Sequence, residues 1–274
     1  MKKGTKIVLC ISGICITLGI ILTVIALLFG ATLGRFGQYF AYFTNPANPV
    51  RPPQQQAYSK SYDGIEELDF ELAGGTVHIV DGDTFKIEVS AARGYQPEVK
   101  VKNGRWVIAD NQQGIVPAIV EDRVVTIYLP VDFTARYMDL EFAAGEIDID
   151  RLTTQALELE IGMGSLTIGE LTADTAKLQC GMGNLVVESA GLGSYETECG
   201  MGAVTLNLAG SATDYNLNVE SGAGDVTVGN EFYGGLATDF HQYNGAPYTL
   251  EIECGAGAVT VNFNEFIQEG GTEL

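Results

Sequence analysis

An all-β fold is predicted here: a parallel β-solenoid of about 19-residue Gly-x-Gly coils, preceded by one N-terminal transmembrane α-helix. Three observations predict it. Residues 157–206 read three times as an alternating strand, a Gly-x-Gly and a short β-branched run, around Gly162-Met163-Gly164, Gly181-Met182-Gly183 and Gly200-Met201-Gly202. The second glycines fall 19 residues apart, a fixed period of the kind that marks repeat architectures. Apolar and polar residues alternate on both sides of each glycine pair, as in a strand with one buried face.

The pattern extends both ways. Weaker copies centre on Gly75, Gly145, Gly224 and Gly257, so that seven copies are separated by 70, 19, 19, 19, 22 and 33 residues. Before each corner the first, third and fifth positions are apolar or small, as in Ile161, Leu159 and Leu157, and are expected to face inward. Glycine permits the tight bend, and stacking buries a column that one repeat cannot bury alone. The 70-residue gap holds added strands within 85–130, with Asn103-Gly104 as a hairpin turn. Residues 231–247 read as a loop leaving one coil.

The helix is predicted over residues 7–29, a run of 23 without charge and long enough to cross about 30 Å of hydrocarbon. Lys2, Lys3 and Lys6 precede it, which puts residues 1–6 in the cytoplasm and the C-terminal domain outside. The chain is therefore expected in the cell membrane as a single-pass protein. A cleaved signal peptide is the rival, but the apolar run exceeds the usual length of such a segment. Residues 30–60 are rich in Pro and Gln and read as a semi-rigid stalk. The solenoid ectodomain follows over 61–264, then a flexible tail over 265–274.

Acidic residues outnumber basic ones 35 to 15. From Leu152 onward 17 acidic residues stand against one basic residue, Lys177. Such a balance argues against nucleic acid or anionic lipid as a partner of the soluble part. Five cysteines, two of them in the apolar run, do not make a disulfide framework.

The segment Val124-Val125-Thr126-Ile127-Tyr128-Leu129-Pro130, then Met138-Asp139-Leu140-Glu141 and the Gly-x-hydrophobic copies, resembles a bacterial domain-of-unknown-function family catalogued as "putative adhesin". The resemblance spans residues 65–263. It implies a membrane-anchored β-solenoid, with relatives associated with cell-envelope stress systems. It implies no catalytic residues.

Candidate chemistry concentrates in two outward columns. Two positions before the corner stand Glu71, Glu141, Glu160, Gln179, Glu198, Glu220 and Glu253; four positions before stand Asp69, Asp139, Glu158, Lys177, Glu196, Asn218 and Glu251. Glu141, Glu158, Glu160, Glu196, Glu198, Glu220, Glu251 and Glu253 form the expected interaction surface. Close like charges repel. Either solvent and salt screen an exposed face that keeps the sheet soluble, or the face attracts Ca²⁺, Mg²⁺ or a cationic partner. No cofactor is otherwise expected.

Cys180, Cys199 and Cys254 share one inward position, as small buried hydrophobes or, for Cys180 and Cys199, within reach of a disulfide. Met163, Met182 and Met201 share the middle of Gly-x-Gly, as a packing or corner-lining stripe or as a thioether row for a soft metal such as Cu(I). His78 and His241 sit in no catalytic or metal-ligand spacing, and the glycines open no helix. The sequence therefore predicts a non-enzyme: an adhesin or envelope-associated interaction protein with an unknown protein or cell-wall partner. The alternatives are an accessory component of an envelope stress-sensing system and a divalent-cation-binding surface protein. Oligomeric state is left open.

Overall fold

The computed structural model describes residues 56–91, 97–110 and 123–264. The expected cytoplasmic end (1–6), membrane helix (7–29), Cys10, Cys15, the stalk as far as residue 55 and the tail (265–274) lie outside the described residues. Among the described residues no helix is long and apolar enough to cross a membrane.

Seventeen strands and one 3-10 turn make up the described chain. In order they are β1 (Gln56–Tyr62), β2 (Glu67–Leu72), β3 (Thr76–Gly82), β4 (Phe85–Ala91), β5 (Glu98–Lys102) and β6 (Arg105–Ala109). Then come β7 (Val124–Pro130), β8 (Ala135–Cys180), β9 (Asn184–Ala190), β10 (Ser194–Cys199) and β11 (Ala203–Ala209). After the turn at Ala212–Asp214 follow β12 (Tyr215–Ser221), β13 (Asp225–Val228), β14 (Glu231–Phe232), β15 (Thr238–Gln242), β16 (Tyr248–Cys254) and β17 (Ala258–Asn264). All join in one open sheet. β1 starts at Gln56, inside the stretch expected as stalk, and pairs with β4 from Gln56↔Ala91 to Tyr62↔Phe85. The proline-rich composition ends before it, which frees every backbone N–H for the ladder.

Residues before each glycine corner form one leg of a coil and residues after it form the other. Both legs pair in parallel with the next coil at an offset of 19, as in Ala176↔Tyr195 and Leu185↔Val204. β8 continues around two corners without a break. Leu159, Ile161, Leu178 and Ile252 from one leg meet Leu166, Ile168, Leu206 and Val261 from the other in a single buried cluster. The alternation read from sequence is thus the alternation of core and surface.

Stacking order departs from chain order at both ends. β2 and β3 lie between the β6–β7 pair and the start of β8. β16 and β17 lie between the β10–β11 coil and the β12–β13 coil. The chain passes over its last slot and then returns to fill it. β6 and β7 therefore add one more parallel layer to the two legs, hidden from a repeat search because no Gly-x-Gly joins them. Residues 231–247 likewise hold more than a loop: β14 pairs antiparallel with β13, and β15 with β12. Antiparallel strands end the stack on each leg, which limits further parallel addition. At the other end β5 turns into β6 through Asn103 and Gly104, both at positive φ (52° and 79°), as a type I′ turn requires.

Thr197 lies wholly buried between Leu178 and Ile252, its hydroxyl without a hydrogen-bond partner. Thr197→Val removes that cost while keeping the shape, and is expected to raise stability by about 1 kcal/mol. Urea unfolding checks it; a lowered midpoint would show that the hydroxyl contributes.

Candidate functional site

The two outward columns lie on one leg, and the register places their members side by side. Glu71 faces Glu141, and Asp69 faces Asp139. Further along, Glu198 faces Glu253, Glu253 faces Glu220, and Glu220 faces Asp239. In the other column Lys177 faces Glu196, Glu196 faces Glu251, and Asn218 faces His241. All eight sequence-chosen glutamates thus share one face. Their spatial order is not their sequence order, because Glu251 and Glu253 precede Glu220. Asp239 was missed, since it sits on a capping strand with no corner of its own.

Lys177 divides this face. Its Nζ reaches Glu196 at 2.6 Å and Glu198 at 2.5 Å, while Gln179 donates to Glu198 at 2.9 Å. Hydrogen bonds donated to the Glu196 and Glu198 carboxylates raise the Lys177 ammonium above its usual range. Burial works to raise Glu198, but the bonds from Lys177 and Gln179 outweigh it and hold that carboxyl below its ordinary value. Arg105 closes the far end through Glu67 and Asp69. Lys177→Gln is expected to cost about 1 kcal/mol, as for partly exposed ion pairs. Added salt should shrink the difference; an unchanged urea midpoint at low salt would refute the bridging role.

The carboxylates away from Lys177 carry the repulsion. Burial, then Asp139, pushes the Glu141 carboxyl up to about 7. Burial and Glu158 raise Asp139; burial and Glu198 raise both Glu160 and Glu253. Glu141 binds its proton more tightly folded than unfolded, where its value is 4.5. Its contribution to stability is complete below that unfolded value and is lost as pH rises through about 7. The urea midpoint is therefore expected to rise as pH falls from about 8 to about 5, and Glu141→Gln should flatten the curve. A midpoint that falls over that interval in the parent chain would sink this reading.

Among the described residues no group of three or more His, Cys, Asp or Glu side chains could hold a metal ion. Parallel register spreads the carboxylates along a line instead of around a point. A groove lined by Ser61, Tyr62, Asp63 and Val101 contains none of the column residues.

Two sulfur rows flank the glycine corner. Cys180, Cys199 and Cys254 are buried free thiols in register. Cys180 donates to the Ala203 carbonyl at 3.9 Å and Cys199 to that of Ala258 at 3.8 Å. A hydrogen bond to Cys254, then burial, keeps the Cys199 thiol well above its usual range. Met163, Met182 and Met201 point the other way, 50 %, 57 % and 65 % exposed. They line the outer side of the corner, half-covered, rather than filling the core.

The model of the family described as Toastrack DUF4097 matches residues 65–188 and again 126–249. The chain belongs to the Toastrack DUF4097 family. Its all-β open sheet is that of the Toastrack fold, and the resemblance read from residues 124–141 is to the same group. Solved structures similar to it include one described as a "putative cell adhesion protein" from Clostridium sporogenes ATCC 15579. That likeness has a TM-score of 0.43 and 17% identity over 77% of this chain and 100% of the other. A "putative adhesin" from Bacteroides fragilis NCTC 9343 gives 0.41 and 14% over 78% and 100%. One from Parabacteroides distasonis ATCC 8503 gives 0.33 and 12% over 76% and 97%. No curated protein matches the chain.

Proposed function

We propose that this Toastrack chain is a non-catalytic surface module, held at the cell membrane by residues 7–29, whose acidic face meets a cationic partner outside the cell. One observation carries the reading. A single sheet face gathers Asp69, Glu71, Asp139, Glu141, Glu158, Glu160, Glu196, Glu198, Glu220, Asp239, Glu251 and Glu253. Lys177 is the one lysine or arginine in the two columns. Burial raises Asp139, Glu141, Glu160 and Glu253, so the face stands partly desolvated and in mutual repulsion. A partner bearing several positive charges relieves that repulsion and is steered toward the face by its field. A line of carboxylates one strand apart suits an extended polycation, whether protein or cell-wall polymer, better than a single divalent ion. The membrane placement rests on the uncharged run and the lysines before it.

The test is crosslinking capture on intact cells with the full-length chain and two variants. One carries Glu158→Gln, Glu160→Gln, Glu251→Gln and Glu253→Gln; the other replaces residues 7–29 by an unrelated membrane anchor. The expected catch is salt-sensitive, survives the anchor swap and is lost with the four glutamines. A catch indifferent to the glutamines would overturn the proposal. A membrane partner lost only on the anchor swap would instead support an accessory role in envelope-stress sensing.

A further inference from the structure

We infer that Met163, Met182 and Met201 together form a thioether site for one soft monovalent cation, Cu(I) or Ag(I). The inference is independent of the acidic-face reading. It starts from what the corner needs. The same middle position carries Ala144, Ala256 and Ala223 in other coils, so the bend is satisfied by a methyl group. Met182 N–H donates to the Gly162 carbonyl and Met201 N–H to that of Gly181, each at 2.8 Å. Ala256 and Ala223 make the same bond to Gly200 and Gly255, at 2.8 and 2.7 Å. Backbone geometry is therefore common to methionine and alanine corners. Core packing does not account for the methionines either, because all three are at least half exposed. The fourth internal methionine, Met138, is wholly buried.

What the three residues share is position and chemistry. They occupy consecutive coils in one line, about 4.8 Å apart along the hydrogen-bonding direction. Each side chain is unbranched, has three rotatable bonds and ends in a polarisable sulfur. Rotation about those bonds can bring three such sulfurs toward the middle one without moving the backbone. Thioethers select soft cations such as Cu(I) over Ca²⁺, Mg²⁺ or Zn²⁺. The chain as a whole bears a net charge of −20, which concentrates cations of every kind near its surface. The thiols of Cys180 and Cys199 turn to the Ala203 and Ala258 carbonyls on the inner side of the same corner, Cys254 is buried with them, and none takes part. Binding is coordination alone: no electron is transferred, and the metal arrives already monovalent.

The test uses the full-length chain with its five cysteines replaced (Cys10→Ser, Cys15→Ser, Cys180→Ala, Cys199→Ala, Cys254→Ala) and its fold checked by the melting transition, in detergent micelles, with ¹³C-methyl-labelled methionine, titrated with Ag(I) in chloride-free buffer. Silver is redox-inert here, and the methyl signals report methionine without interference from thiols. Single variants Met163→Leu, Met182→Leu and Met201→Leu assign the resonances. The three signals are expected to move together and saturate at one equivalent of Ag(I), while Met138 stays still. Met182→Leu should weaken binding by about tenfold or more, exceeding either flanking variant, because only Met182 neighbours both others. The triple leucine variant should keep its melting transition and lose the response. Three independent titrations, silver uptake that leaves the methyls unmoved, or an equal shift at Met138 would each overturn the inference. Broadening of the three methyls with protein concentration alone would assign the row to a protein contact and overturn it as well.

Discussion

Gly164→Ala is expected to destabilise the chain by about 3–5 kcal/mol, close to the whole stability of many domains. Gly164 sits at a φ of +110°, and a Cβ placed on it would run into the carbonyl oxygen of Gly145 in the neighbouring coil. That oxygen is backbone, held by the corner ladder, and cannot rotate aside. Collision repeats along the stack: Gly183 is built against Gly164, Gly202 against Gly183, Gly257 against Gly202 and Gly224 against Gly257. Successive corners therefore approach more closely than any side chain allows. Gly191→Ala is the matched control. The nearest atom to its Cβ is the Leu171 oxygen at 3.7 Å, an ordinary contact, and its cost should stay within about 1 kcal/mol. Urea midpoints of the two variants decide the matter; equal values would mean that the corner relaxes.

Asp110→Asn is expected to cost about 3–5 kcal/mol, the range for breaking a buried ion pair from one side. The Asp110 side chain is 2% exposed and that of Arg123 is 0%. Arg123 Nη1 donates to Asp110 Oδ1, and its Nη2 donates to Asp110 Oδ2 at 2.8 Å and to the Gly74 carbonyl at 2.6 Å. Asp110 also accepts the Ala73 N–H at 2.7 Å. The pair ties the ends of β6 and β7, which no Gly-x-Gly joins, to the Ala73-Gly74-Gly75 corner between β2 and β3. Removing one charge leaves the other buried against a smaller complement. Replacing both, as Asp110→Leu with Arg123→Leu, removes the desolvation cost on both sides and should recover most of the loss. A double-mutant cycle in urea measures the coupling; a double variant as unstable as the single one would mean that Arg123 serves the corner by itself.

Much of the coil interior was legible because glycine and alternation are local signals. Ile161, Leu159 and Leu157 face the core for the reason that Glu158 and Glu160 do not: neighbours on a strand take opposite faces. The shared face of the eight glutamates followed from the same count. What could not be read was any contact set by which coils are neighbours. Glu251 beside Glu196, the layer made by β6 and β7, and the Asp110–Arg123 pair all depend on insertions out of chain order, which no period records. Asp239 was hidden for a related cause. Its strand pairs antiparallel, so it joins the glutamate column from the opposite chain direction.

The out-of-order slots have a kinetic meaning. In the middle of the stack each coil finds its neighbour 19 residues away, a short loop to close. At the C-terminal end β10 must wait for β16, whose Tyr195↔Leu250 and Cys199↔Cys254 pairs span 55 residues. A chain emerging from its N-terminus can thus assemble the middle early, yet its final layer is an interior one. A nascent or truncated chain that stops before residue 248 lacks no mere end piece: it leaves two facing parallel edges with nothing between them. Such edges are templates for pairing with other chains, and β16 and β17 are the strands that cover them.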